Sequence, residues 1–168
     1  MSATITLNIP LKSFLKKYLI QKYGEEHDIS RRTWFGRYII DILDKNYKKS
    51  NVDIKKDSFY PVHVSSCIIK EVGFDISATK LKLLSEMIYK VFLNDLYSYI
   101  EVSIGNNLKF FNEKHESINK QNVLQAISQF LKFYDIHESE LSPDSVYRNF
   151  YRERKSDKKE KQKNATAL

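Results

Sequence analysis

The stretch SATKLKLLSEMIYKVFLNDLYSYIEVSI, residues 77–104, decides the fold. Ser77 is placed to cap a helix. Leu81, Leu84, Ile88, Val91, Phe92, Leu96, Tyr99 and Val102 then follow at helical spacing, until Gly105-Asn106-Asn107 offers a stop. At ~1.5 Å per residue such a helix spans about 40 Å, the length of a whole domain. It is expected to be the central packing helix or a dimerisation helix.

Upstream, FYPVHV (59–64) reads as a strand, which Pro61 assigns to a sheet edge or a bulge because proline gives no N–H to a ladder. Ser65 or Ser66 opens a short turn of helix that Gly73 closes. Near the N-terminus, ATITLNI (3–9) alternates: Ile5, Leu7 and Ile9 face one way, Thr4, Thr6 and Asn8 the other. Pro10 suits the first position of a helix carrying Leu11, Phe14, Leu15, Tyr18 and Leu19, which Gly24 ends. Ser30 can cap a second helix with Trp34, Phe35, Tyr38, Ile39, Ile42, Leu43 and Tyr47.

Downstream, a loop of residues 105–118 leads to a helix near 119–134, with Val123, Leu124, Ile127, Phe130, Leu131 and Tyr134 apolar. DIHESELS (135–142) turns the chain, and Ser142-Pro143-Asp144 starts a last helix. From Lys155 onward no apolar period remains, which predicts a disordered basic tail. The expected fold is mostly α with two short strands (α+β), a long central helix and a C-terminal helix-turn-helix-like pair. Its expected segments are 1–50, 51–112, 113–155 and the tail 156–168.

The chain has 168 residues, 42% of them apolar, with only four Gly and three Pro, so it can bury a sizeable core. Its one cysteine, Cys67, excludes an internal disulfide and a Cys-based zinc site and reads as a buried thiol. His27, His63, His115 and His137 lie scattered without metal-ligand spacing, and there is no glycine-rich phosphate loop. The expectation is no catalysis, metal, cofactor or small-molecule substrate. The N-terminus lacks the regions of a signal peptide and no apolar run approaches ~18 residues, so a cytoplasmic protein is expected.

Charge is unevenly placed. Residues 148–163 carry eight of the 28 Lys and Arg and three of the 21 Asp and Glu, so this segment is +5 and only +2 of the net +7 remains elsewhere. On the last helix Val146, Tyr147, Phe150 and Tyr151 form an apolar face suited to Phe130, Leu131 and Tyr134. Arg148, Arg152, Lys155 and Lys159 fall at i, i+4, i+7 and i+11 as a cationic row. Such a row fits phosphate, with Arg148, Asn149 and Arg152 suited to base edges and Arg154, Lys155, Lys158 and Lys159 adding charge. The alternative is a solvated helix whose arginines pair with Glu138, Glu140 and Asp144.

Two resemblances bear on this reading. The run AISQFLKFYDIHESELSPDSVYRNFYRER (126–154), with its FL..YDI segment, acidic turn and YR..YR.R helix, resembles small proteins of Bacteroidetes phages and mobile elements. That implies a regulatory or DNA-binding protein with no catalytic role. Residues 3–47 (TITLNIP, a helix to Gly24, then Ser30-Arg31-Arg32 opening another) are similar to the ribbon–helix–helix repressors. This resemblance implies strands paired across a homodimer and laid in the major groove, with Thr4, Thr6 and Asn8 reading bases. It also implies phosphate held at the start of the second helix, beside Arg31 and Arg32. The residues themselves offer another pairing, 3–9 with 59–64 within one chain. The resulting expectation is a DNA-binding regulator or accessory factor of a phage or mobile element, with RNA not distinguished from DNA. A virion or assembly component with a DNA- or acid-binding tail is the competing class.

Overall fold

The computed structural model describes residues 4–45, 58–73, 75–108 and 120–165. Three strands, β1 (Thr4–Leu11), β2 (His27–Asp28) and β3 (Ser58–Ser65), form one sheet in the order β1-β3-β2. β1 pairs antiparallel with β3 from Thr4↔Ser65 to Leu11↔Ser58, so residues 4–9 pair within the chain. β2 pairs parallel with β3 at Val62 and His63 and is a strand that periodicity could not reveal, being two residues long.

Pro61 does not place β3 at an edge: β3 is the central strand. The reason lies in backbone direction. The His63 carbonyl accepts from the Ile29 N–H at 2.9 Å, so residue 63 turns its polar backbone toward β2. By alternation residue 61 does the same, while 60, 62 and 64 face β1. β2 covers only positions 62 and 63, so no ladder bond requires the N–H that Pro61 lacks.

Pro10 likewise belongs to β1 rather than to a helix. The first helix, α1 (Ser13–Tyr23), starts after Lys12 and ends at Gly24, whose φ of 92° and N–H to the Ile20 carbonyl at 2.8 Å stop it. The next helix, α2 (Trp34–Ile42), is capped by Thr33 rather than Ser30, because the Thr33 hydroxyl accepts from the Gly36 N–H at 3.0 Å. Ser30 instead forms the turn before it, taking the Arg32 N–H on its hydroxyl at 3.2 Å. That turn lies so close to α2 that a Cβ at Gly36 would overlap the Ser30 backbone. Tyr47 lies outside the described residues.

The short helix α3 (Ser66–Val72) is ended by Gly73 as expected, and a bridge between Asp44 and Asp75 ties the segments after α2 and α3 together. Cys67, on α3, is exposed rather than buried, because a seven-residue helix at the surface turns it outward.

The long helix α4 (Ala78–Leu108) begins as expected, with Ser77 accepting from the Lys80 N–H at 3.3 Å. It continues through Gly105, since one glycine within a helix costs only about 1 kcal/mol. Its buried row is Leu84, Ile88, Phe92, Leu96, Ile100 and Ile104, whereas Tyr99 and Val102 are 38% and 61% exposed. An i, i+4 row advances about 40° per step, so the buried side winds around the helix and no single stripe describes it.

Two compact units divide within α4, residues 1–92 and 93–168. The segment 1–50 is not independent of the next, because β3 runs between its two strands. In the first unit Phe92 receives Phe14 at 5.4 Å and Tyr18 edge-on at 5.3 Å. A second cluster stacks Tyr23 on Phe35 at 5.5 Å and places the His27 ring 4.9 Å from Tyr23 and 5.6 Å from Phe35. Tyr60 borders Phe35 and donates its hydroxyl to the Gly24 carbonyl at 2.9 Å; burial first, then Tyr23 and Glu25, push this phenol up to about 12. Each large side chain buried fully contributes on the order of 1.5–3 kcal/mol. In the second unit α5 (Lys120–Phe133) packs against α6 (Pro143–Ala165), with Val123, Ile127, Phe130 and Leu131 of α5 and Val146 and Phe150 of α6 buried. No helix among the described residues is long and apolar enough to cross a membrane.

Burial holds His27 below the ordinary imidazole value of 6.5, against the opposing pull of Asp28, and its Nε2 has no hydrogen-bond partner among the described residues. A group whose folded pKa is lowered favours folding fully above its unfolded value and less as pH falls toward its folded one. The urea midpoint should therefore hold above the ordinary imidazole value of 6.5 and drop as pH is lowered below it, and a His27→Phe variant should lack that part of the drop. Gly36→Ala, forcing a methyl into the Ser30 backbone, should destabilise by about 2–3 kcal/mol; an unchanged denaturant midpoint would exclude that close approach.

Candidate nucleic-acid interface

The cationic row predicted on the last helix depends on how the chain enters it. α5 ends with Asp135 at φ 53° and the Ile136 N–H bonded back to the Leu131 carbonyl at 2.9 Å. This six-to-one closure buries Ile136 beside Leu131 and stops the helix without a glycine. A second tight turn follows, with the Glu140 and Leu141 N–H groups on the His137 carbonyl at 2.9 and 3.1 Å. The Glu140 carboxylate accepts from the His137 N–H at 3.1 Å. Pro143 then opens α6 with Asp144 in its first turn, where a negative charge suits the helix dipole. Residues 134–142 thus connect the pair by two turns, longer than the three or four residues of a compact helix-turn-helix.

On α6 the inner face is apolar. Phe150 meets Tyr97 at 5.3 Å, and Tyr147 lies against Tyr151 at 4.6 Å with the Lys120 ammonium 5.4 Å from its ring. Burial, then the hydrogen bond and proximity to Tyr147, push the Tyr151 phenol up, with Arg154 pulling the other way. Arg154 turns inward: it pairs with Glu101 at 3.4 Å and lies 5.1 Å from the Phe150 ring centre. Arg148 and Arg152 differ. Both are exposed, one helical turn apart, and neither has an ion-pair or hydrogen-bond partner among the described residues. The predicted pairing with Glu138, Glu140 and Asp144 is not made by these two. Asn149 is half-buried beside them.

Lys155, Lys158 and Lys159 stand on helical backbone, because α6 runs to Ala165 where a disordered tail was expected. Lys, Glu and Gln are good helix formers, and no Gly or Pro interrupts residues 155–165. Positions 155 and 159 continue the row of Arg148 and Arg152 along the same helix.

The other predicted residues belong to the first unit. Thr4, Thr6 and Asn8 are exposed on one face of the sheet, but Thr6 Oγ1 is 3.0 Å from His63 Nδ1 and His63 Nε2 is 2.7 Å from the Glu26 carboxylate. This hydroxyl therefore faces a network that ends on an acid, with Asp28 opposite His63 on β2. His63 and Glu26 escaped the sequence reading because only the β1–β3 register brings them to Thr6. Arg31 is engaged with Glu71 on α3 at 2.6 Å, while Arg32 is exposed. Both ends of the Arg31–Glu71 pair are well exposed, which limits it to roughly 0–1 kcal/mol.

Comparison of the chain with protein-family models, curated proteins and solved structures gives no match.

The two kinds of arginine on α6 should separate by stability. Arg154→Ala should lower the thermal midpoint by the equivalent of about 1 kcal/mol, from a partly exposed ion pair plus ring contact. Arg148→Ala and Arg152→Ala should change stability by less than about 0.5 kcal/mol. Equal losses in calorimetry for all three would mean that the row is packed inward.

Proposed function

We propose that the chain is a cytoplasmic DNA-binding protein that uses the outer face of α6, serving a phage or mobile element as a transcriptional regulator or accessory factor. One observation carries this reading: Arg148 and Arg152 stand exposed and unpaired among the described residues, while Arg154 beside them is committed to Glu101. Guanidinium groups held out on a helix bind phosphate or guanine edges through two parallel hydrogen bonds. A helix about 10–12 Å across also fits the ~12 Å major groove. Lys155, Lys158 and Lys159 extend the positive potential along the helix, and association is driven by counterion release. Asn149, half-buried next to Arg148, is an amide of this helix suited to a base edge.

With about four phosphate contacts, the log of the affinity for duplex DNA should fall with the log of salt at a slope of roughly −3 to −4. Arg148→Ala with Arg152→Ala should weaken binding in fluorescence anisotropy at least tenfold and flatten the slope by about two. Arg154→Ala should have a smaller effect. Unchanged affinity in the double variant would reject α6 as the contact surface. High oligomers with no binding at low salt would instead favour a virion or assembly component.

A further inference from the structure

The net +2 outside residues 148–163 averages two opposite parts. Residues 1–92, the first unit, hold 16 of the 28 Lys and Arg and 10 of the 21 Asp and Glu, so this unit carries +6. The second unit outside residues 148–163 is left with −4. Residues 1–24 contain four lysines and no acid. α1 turns Phe14, Leu15, Tyr18 and Leu19 into the core, which leaves Lys12 and Lys16, one turn apart, outside that arc. The Lys12 ammonium lies 5.9 Å from the Phe14 ring centre and 6.0 Å from that of Tyr89 on α4, so the rings hold a cation where the two helices meet. Lys82 falls two turns before Tyr89 on the same side of α4, and Lys90 follows Tyr89; both are exposed. None of these four lysines has an ion-pair partner among the described residues, and Glu86, between Lys82 and Lys90, pairs with neither. By contrast, the acids Glu26, Asp44 and Glu71 of this unit are engaged by His63, Lys80 and Arg31.

We infer that this face of α1 and α4 is a second DNA-binding site, holding the phosphates of a duplex separate from the one on α6. The inference rests on the reading of the chain as a DNA-binding protein and adds a site to it. Lysine ammoniums are compact point charges on flexible stems, so they follow a row of phosphates without selecting bases. The site is therefore independent of sequence and, lacking bidentate contacts, weaker than the arginine row of α6. Four neutralised phosphates give it a log–log salt slope of roughly −3 to −4. An anionic lipid surface fits less well, because a helix lying in a bilayer interface needs an apolar face to bury. No large apolar side chain is exposed on α1. The two on this part of α4, Leu83 and Met87, lie roughly 120–160° around the helix from Tyr89, away from the side that meets α1.

At low salt, with a duplex of one helical turn, about 10 base pairs, sedimentation velocity of the full chain should saturate at two duplexes per chain. Lys12→Gln combined with Lys16→Gln, Lys82→Gln and Lys90→Gln should lower this to one, with circular dichroism unchanged. Arg148→Ala with Arg152→Ala should also leave one, now held by the lysines whatever its sequence. Should the four-lysine variant fail to fold, Lys82→Gln with Lys90→Gln, both on the surface, should flatten the salt slope of the weaker site by about two. Lys45→Gln with Lys70→Gln, which removes the same charge from exposed positions elsewhere on the first unit, should leave that site intact. One duplex per wild-type chain, or two in the four-lysine variant, would overturn the proposal. So would a four-lysine variant that keeps both duplexes and loses only binding to phosphatidylserine vesicles. A duplex lost in the lysine variant but none in the arginine variant would count against α6 and for this site.

Discussion

The antiparallel ladder between β1 and β3 is the constraint on which the first unit depends. Its eight pairs bring Ile9, Tyr60, Val62 and Val64 into the buried layer and leave Thr6 and His63 outside. A slip of one position would exchange those faces, so burial itself enforces the register. Both prolines of the sheet are consistent with it. Pro10 turns its missing donor outward, and Pro61 turns its own toward the short reach of β2, so the shared ladder loses nothing. β3 can therefore be central while carrying a residue that ordinarily belongs at an edge.

Much of the architecture was legible from spacing. Ser77, Gly24, Gly73 and Pro143 mark helix ends through local chemistry, and local chemistry is what a sequence displays. The failures share a cause, which is tertiary contact. Thr33 displaced Ser30 as a cap because the Ser30 turn packs on Gly36, a contact no helical period encodes. Tyr99 and Val102 matched the period of α4 yet lie outside, because the buried row follows Ile100 and Ile104 instead. β2 needed a neighbour to exist at all. The continuation of α6 past Lys155 shows the opposite limit, since propensity sustains helical backbone where apolar pattern has ended.

The candidate site was half visible in the same sense. A cationic row at i, i+4, i+7 and i+11 is a statement about one helix and could be read directly. The allocation of its members could not. Arg154 is drawn to an acid on α4 and a ring on its own helix, whereas Arg148 and Arg152 are left to solvent. Likewise, Thr6 reads as a free hydroxyl until the register sets it beside His63 and, through it, Glu26. Positive charge at the start of α2 is reduced by the same logic, because Glu71 engages Arg31. Net charge raised the expectation of an anionic partner; pairing decides which cations stay exposed on the helix.

The ladder also dictates an order of assembly. Leu11 and Ser58, its nearest partners, are 47 positions apart, and Thr4 and Ser65 are 61 apart. Closing a loop of that size precedes any reward from the sheet, and such contacts form slowly. α5 and α6 meet across residues 134–142 alone, so their contacts are local and gather early. On a growing chain β1 must wait, unpaired, until β3 has been synthesised. During that interval its uncharged residues 4–11 lack the partner that later covers their inner edge, which exposes them to pairing with other chains.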